Sequence, residues 1–259
     1  MSLLKLQGVA KIFGGLHAVR GVSFQVEKGS IFGLIGPNGA GKTTLFNVIT
    51  GVYTPEHGQI LFRDENIAGL RPALIAARGI ARTFQNIRIF RAMTVAENVM
   101  VAGHHLHSAS ILDAMLRTRA YETDEQALKK RANELLEILG LAELSGEIAG
   151  SLPYGSQRRL EIARGLMLSP ELLLLDEPAA GMNSQEAQTL NEQIRFLRDE
   201  LGLTVVLVEH NMAVVMNVCE TIHVVDHGET IAEGTPAEIK VHPKVLAAYL
   251  GEDPEKEVV

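Results

Sequence analysis

Four continuous apolar runs dominate the hydrophobic pattern: Ile31–Ile35, residues 172–175, Thr204–Val208 and residues 221–225. Short, mainly apolar runs suit strands covered on both faces, as in a parallel sheet beneath helices. The early chain reads differently. Residues 3–9 and 22–26 predict strands flanking a glycine turn at Gly14 and Gly15, and residues 58–62 and 82–84 predict further short strands. From residue 86 to about residue 165 the period becomes helical. There Leu128, Ala132, Leu135, Leu136 and Leu139 fall on one face. Thr94 with Glu97, and Thr235 with Glu238, spell capping boxes, and Pro236 occupies the first helical position of the second. Strands and helices alternate from Leu160 onward, which predicts α/β architecture. The expected organisation is a core of residues 1–85 and 166–235, a helical insert at 86–165 and a helical tail at 236–259. The charged end of that tail, from Glu252, is expected to fray.

The strand at Ile31–Ile35 runs into Gly36, Pro37, Asn38, Gly39, Ala40, Gly41, Lys42 and Thr43, and an apolar-periodic helix begins at Thr44. This octet fits G-x-x-x-x-G-K-[ST]. Glycines at these places let successive backbone N–H groups turn toward one anion, and the helix that follows adds its positive end. Lys42 is placed to reach the β- and γ-phosphates of a nucleotide, and Thr43 to set its hydroxyl on Mg²⁺.

A second apolar strand ends in Asp176 and Glu177. Residues at the ends of parallel strands lie at the ligand-binding edge of such a sheet. Asp176 is therefore expected to share a cleft with Lys42 and hold Mg²⁺ through water. Glu177 is placed to polarise an attacking water, a step worth roughly 10²–10⁴ in rate. The plain alternative, a charged turn after a buried strand, weakens beside the octet.

Composition excludes several function classes. The chain has 259 residues, 46% hydrophobic and 21% charged, with a net charge of −7. That balance argues against nucleic acid as a partner. Cys219 is the sole cysteine, so no intrachain disulfide forms; its apolar helical neighbours predict a buried, inert thiol. No apolar run approaches the ~18 residues that span a bilayer, and the N-terminus lacks a signal-peptide core. Any membrane role is expected to come through partners. His104, His105 and His107 have no cysteine or carboxylate at ligand spacing and read as a solvated loop rather than a metal site.

Residues 151–164, Ser-Leu-Pro-Tyr-Gly-Ser-Gln-Arg-Arg-Leu-Glu-Ile-Ala-Arg, resemble the signature segment of ABC-type ATPases and its helix. A GTPase would need an N-K-x-D motif, which is absent. The other landmarks follow in order: Gln85 matches the glutamine loop, His210 the switch histidine, and Phe13 the aromatic that stacks on adenine. Finer similarity, at residues 82–90, 93–98, 152–155, 158–164, 177–183 and 248–252, is to ATP-binding subunits of branched-chain amino-acid importers. The resemblance covers about residues 3–252. It implies a P-loop NTPase core with a parallel sheet, an N-terminal antiparallel β subdomain and an inserted helical subdomain.

The resemblance also implies a function. ATP and Mg²⁺ would bind at Gly36–Thr44, with Thr43, Asp176 and Gln85 serving the metal and Lys42, Glu177, Gln85 and His210 serving catalysis. Partners would be a second, paralogous ABC ATPase, two membrane permeases and, indirectly, a periplasmic or extracellular solute-binding protein. The chain would lie peripherally on the cytoplasmic face of the membrane. The stretch with Phe90, Met93 and Val95 would line a groove for the permeases' cytoplasmic helices. Importers of urea or short-chain amides, and a lipopolysaccharide exporter, are the competing assignments. Non-transport ABC proteins usually carry two cassettes, coiled coils or basic arms, and none is visible.

Two departures stand out. The usual signature begins Leu-Ser-Gly-Gly-Gln, and here those places hold Leu152, Pro153, Tyr154, Gly155 and Ser156. The serine hydroxyl is lost to Pro153, while Gly155 keeps a backbone N–H. Asn183 stands where the family has an aspartate that communicates across the dimer, and it also suits the cap of the next helix. These departures predict pairing with a paralogue of more regular signature, and two unequal sites, with this chain's own phosphate loop in the more active one.

Overall fold

Residues 1–103 and 118–250 are described by the computed structural model. His104, His105 and His107 lie outside them, as does the segment from Glu252. The strands are β1 (Ser2–Phe13), β2 (Leu16–Glu27), β3 (Ile31–Ile35), β4 (His57–Phe62), β5 (Glu65–Asn66), β6 (Ile80–Arg82), β7 (Leu172–Asp176), β8 (Thr204–Val208), β9 (Thr221–Asp226) and β10 (Glu229–Gly234). The helices are α1 (Lys42–Ile49), α2 (Pro72–Ala77), α3 (Val95–Ala102), α4 (Arg119–Ile138), α5 (Tyr154–Leu166), α6 (Ser184–Leu201), α7 (Met212–Val218), α8 (Pro236–Lys240) and α9 (Pro243–Leu250).

Contacts divide the chain into two units: Met1–Arg82 with Glu171–Val259, and Thr83–Pro170. The divisions fall after Arg82 and Pro170, a few residues from the expected 85 and 165. β6 stops at Arg82 rather than running over 82–84. In the second unit α5 continues to Leu166, and Met167 packs so closely on Gly103 that a Cβ there would lie 2.6 Å from its Cε.

The first unit holds two sheets. One is antiparallel, in the order β2-β1-β4-β5; the other runs β10-β9-β3-β8-β7-β6, parallel except for the β9/β10 pair. All five positions of β3, β7 and β8 are buried, as suits their largely apolar sequences; Asp176, the charged end of β7, is the exception to that composition. Alternate residues serve opposite faces. Phe32, Leu34, Leu172, Leu174, Val206 and Val208 join Leu45, Phe46, Val48 and Ile49 of α1 and Leu4, Leu6, Phe24 and Phe62 of the antiparallel sheet in one core cluster. On the other face Gly33 admits α7: a Cβ there would sit 3.0 Å from Cys219 Sγ and 3.3 Å from Val215.

β1 and β2 are each twelve residues, well beyond the segments the alternation predicts. Gly8 (φ 59°) and Gly21 (φ 72°) lie at or beside irregularities in the register, and each breaks the period of two. The pairing continues through them.

In the second unit α4 buries Leu128, Ala132, Leu135, Leu136 and Leu139, the face its period predicts. Both halves of the Thr94 and Thr235 capping boxes are made. Val95 is fully buried, whereas Phe90 is 44% exposed beneath the Arg164 guanidinium. Val95 is therefore core and lines no groove, because as the first residue of α3 it points inward beside Asn98 and Val99.

Candidate functional site

The phosphate loop is shaped by backbone constraints that glycine alone relieves. Gly41 (φ 102°) caps α1, and a Cβ there would stand 2.4 Å from the Ala18 carbonyl oxygen. At Gly36 a Cβ would meet the Val225 carbonyl oxygen at 2.0 Å. The loop is tied down by Gly228 N–H donating to Ala40 O (3.0 Å) and Leu45 N–H to Gly41 O (2.9 Å). No side chain caps α1 and no acid lies in its first turn, which leaves its positive end suited to an anion. Asn38 and Gly39 are exposed, as is Thr43 at the second position of α1; Pro37, Gly41 and Thr44 are half-buried and Ala40 is buried.

Lys42 is 7% exposed, and its ammonium donates to Gly36 O (2.7 Å) and Pro37 O (2.9 Å). Burial lowers its pKa, while Glu177 and Asp176 oppose that shift. The ammonium and the two carboxylates therefore share one electrostatic neighbourhood. Asp176, at the end of β7 and 1% exposed, accepts from Arg82 Nη2 at 2.8 Å.

Glu177 adopts a left-handed backbone, φ 48°, which costs a non-glycine residue about 1–3 kcal/mol. Its N–H donates to Val208 O at 2.8 Å, so the strained residue is stitched to the neighbouring strand. Its carboxylate, half-buried, comes within 3.7 Å of the exposed His210 imidazole. That is too long for a hydrogen bond, and it leaves room for adjustment around a substrate.

Glu209 organises this edge, a role that sequence reasoning missed. It is fully buried; Oε1 accepts from Ala179 N–H (2.8 Å) and Oε2 from the N–H groups of His210 and Asn211 (3.2 Å each). Burial raises its pKa, and those hydrogen bonds oppose the rise. One carboxylate thus ties the turn after Glu177 to the turn carrying His210. Asn183 makes both halves of a capping box on α6: its side chain accepts from Gln185 and Glu186 N–H, and its N–H donates to Glu186.

Phe13 is 39% exposed at the end of β1. It meets Tyr53 edge-on at 5.1 Å, with the Lys11 ammonium 5.0 Å from its ring centre. Tyr53, also partly exposed, was not singled out from the sequence.

In the second unit, considered by itself, the signature segment opens α5. Leu152 is buried, Pro153 takes the cap position with no side-chain bond, Tyr154 is 45% exposed, and Gly155 and Ser156 are buried. The Ser156 hydroxyl accepts from Arg159 at 3.0 Å. Further along α5, Arg158 donates to Phe84 O (2.7 Å) and to Gln85 O, and Glu161 accepts from Arg88 N–H (3.1 Å). The signature helix grips the backbone around Gln85, whose own side chain is exposed.

The profile of the ABC transporter family matches residues 19–180. The chain belongs to that family. A second profile, of branched-chain amino acid ATP-binding cassette transporters, matches residues 229–255 of this ABC protein. The high-affinity branched-chain amino acid transport ATP-binding protein LivG of Escherichia coli K12 is 46% identical over 250 residues, covering 96% of this chain and 98% of that one. BraF of Pseudomonas aeruginosa, of the same description, is 45% identical over the same shares. Among solved structures, the ADP conformation of MJ1267, an ATP-binding cassette of an ABC transporter, superimposes with TM-score 0.85 at 34% identity, covering 97% of this chain and 100% of that one. A nucleotide-free ATP-binding cassette gives 0.83 at 34% identity, covering 96% and 99%.

As an ABC ATPase domain the chain binds ATP, and its loop fits a triphosphate: glycine at both tight approaches, an uncapped helix end and one buried ammonium. The oxygen donors fit Mg²⁺, a hard cation that prefers hydroxyl, carboxylate and water oxygens. Thr43 and Asp176 would supply them. No helix among the described residues is long and apolar enough to cross a membrane.

Proposed function

We propose that this chain is the ATP-hydrolysing subunit of an importer for branched-chain amino acids. The observation that carries the reading is the 46% identity to LivG across nearly both whole chains, supported by the profile match at residues 229–255. The proposed assembly has two permeases, a second and paralogous ABC ATPase, and an external solute-binding protein acting through the permeases. The chain then sits peripherally at the cytoplasmic face.

In this reading Thr43 and Asp176 hold Mg²⁺, which when bound neutralises charge on the phosphate oxygens. Lys42 turns from its loop carbonyls to the β- and γ-phosphates. Glu177 orients and deprotonates the attacking water, and His210 steadies the γ-phosphate. Gln85 follows the metal, Phe13 stacks on adenine, Asn183 faces the paired subunit, and residues 152–156 act on that subunit's nucleotide. These roles rest on motif position together with the geometry around Lys42, Asp176, Glu177 and His210. Phosphoryl transfer is mainly positioning and charge stabilisation, so donors from a second chain can complete such a site.

The test is uptake. Vesicles carrying the chain, its permeases and the paralogous ATPase, with ATP inside and the solute-binding protein outside, should accumulate labelled leucine, isoleucine and valine, and Glu177→Gln should abolish that accumulation. Uptake of urea or short-chain amides in place of the amino acids would reject the cargo assignment.

A further inference from the structure

We infer that Arg82 is a positioning residue that fixes the Asp176 carboxylate for the metal and ties it to the phosphate-loop helix. This rests on the reading of Asp176 as a Mg²⁺ contact. Arg82 ends β6, opposite Leu174 of β7 and thus two residues short of Asp176. Its side chain reaches forward, 7% exposed, to a carboxylate that is 1% exposed. Nη2 donates to Asp176 Oδ2 at 2.8 Å. Nη1 donates to Asn47 Oδ1 at 2.7 Å and Thr50 Oγ1 at 3.2 Å, both on or capping α1. The guanidinium carbon lies 5.5 Å from the centre of the Phe46 ring, also on α1.

The two ends of the fork therefore serve the two elements that build the metal site. α1 carries Lys42 and Thr43 at its start, and β7 delivers Asp176 at its end. Arg82 spans them with directional bonds that a lysine, as a point charge on a flexible stem, cannot reproduce. Stability alone does not account for the arrangement, because a buried ion pair is often replaced by apolar residues at no cost. A carboxylate that must stay ionised and face a metal has no apolar substitute. It needs a counter-charge built into the protein, placed on its far side. Outer contacts of this kind orient ligating carboxylates, and their loss typically costs about 10–100-fold in metal affinity.

The experiment uses the full chain and reads binding of a fluorescent ATP analogue, once as a Mg²⁺ titration and once in EDTA, with thermal unfolding alongside. Arg82→Gln should raise the half-saturating Mg²⁺ concentration about 10–100-fold and leave binding in EDTA unchanged. Arg82→Lys should shift in the same direction. Asn47→Leu, which loosens the anchor but spares the ion pair, should shift less and stays informative if Arg82→Gln fails to fold. An unchanged Mg²⁺ dependence in the Arg82 variants, with Asp176→Asn shifting it, overturns the inference and leaves the reading of Asp176 intact. Parallel loss of binding with and without metal also overturns it, since a merely structural role predicts that result. No shift in Asp176→Asn removes the underlying reading, and the inference with it.

Discussion

Glu177→Gln is expected to lower the steady-state ATPase rate by roughly 10²–10⁴-fold, the usual worth of a positioned general base. The change is nearly isosteric. The backbone at Glu177 is held in its left-handed conformation by Val208 O, which an amide side chain does not disturb. The carboxylate faces His210 from 3.7 Å, and Lys42 feels its charge. An amide there can accept a hydrogen bond but cannot take a proton from water. ATP binding should persist, and the uncleaved nucleotide should hold two subunits together. Phosphate release measures the first effect. Gel filtration with MgATP, with the paralogue present, measures the second. Failure of the variant to enlarge would count against two ATPase subunits pairing around the nucleotide. The same substitution made separately in each of the two paired ATPases tests the inequality of their sites. Equal losses would show that the irregular residues Pro153, Tyr154 and Ser156 do not set one site above the other.

Gly41→Ala is expected to remove nucleotide binding and to lower Tm. Two penalties coincide there. A left-handed φ costs about 1–3 kcal/mol for a residue with a side chain. The new Cβ would also stand 2.4 Å from the Ala18 carbonyl oxygen, so the loop or β2 must move. Moving the loop would also displace the backbone N–H groups and helix end that suit the phosphates, which weakens nucleotide binding further. Gly39→Ala is the internal comparison. Its φ of 83° carries the same kind of strain, but nothing lies within 4 Å of its Cβ. Calorimetric titration with ATP should rank the two, with Gly41→Ala the worse. Equal damage would mean that strain rather than the collision with Ala18 decides.

The octet at Gly36–Thr43 was legible because its chemistry is local: eight adjacent residues specify a turn, a helix start and a charge. The buried strands were legible for the same reason, since burial on both faces leaves an unbroken apolar run. What escaped was set by partners distant in the chain. Arg82 bonds across 94 residues to Asp176, and Glu209 across 30 to Ala179. Neither has a local pattern, and each looked like an ordinary charge at a strand end. The grip of Arg158 on Phe84 spans 74 residues and was hidden likewise. Strand ends failed at Gly8 and Gly21, where irregular pairing shifts the period without stopping the ladder. Val95 misled because an apolar residue after a cap reads the same whether it faces a partner or its own core.

Cys219 packs against the backbone of Gly33, is 7% exposed, and has a thiol pushed up to about 12, by burial first and then by Glu220 and Glu209. A thiol buried in this way is held protonated and inert, so the folded protein is expected to react with maleimides no faster than a cysteine-free one. One new cysteine on any exposed turn then carries a single fluorophore, and motion in the assembled transporter becomes observable without first stripping the native sequence.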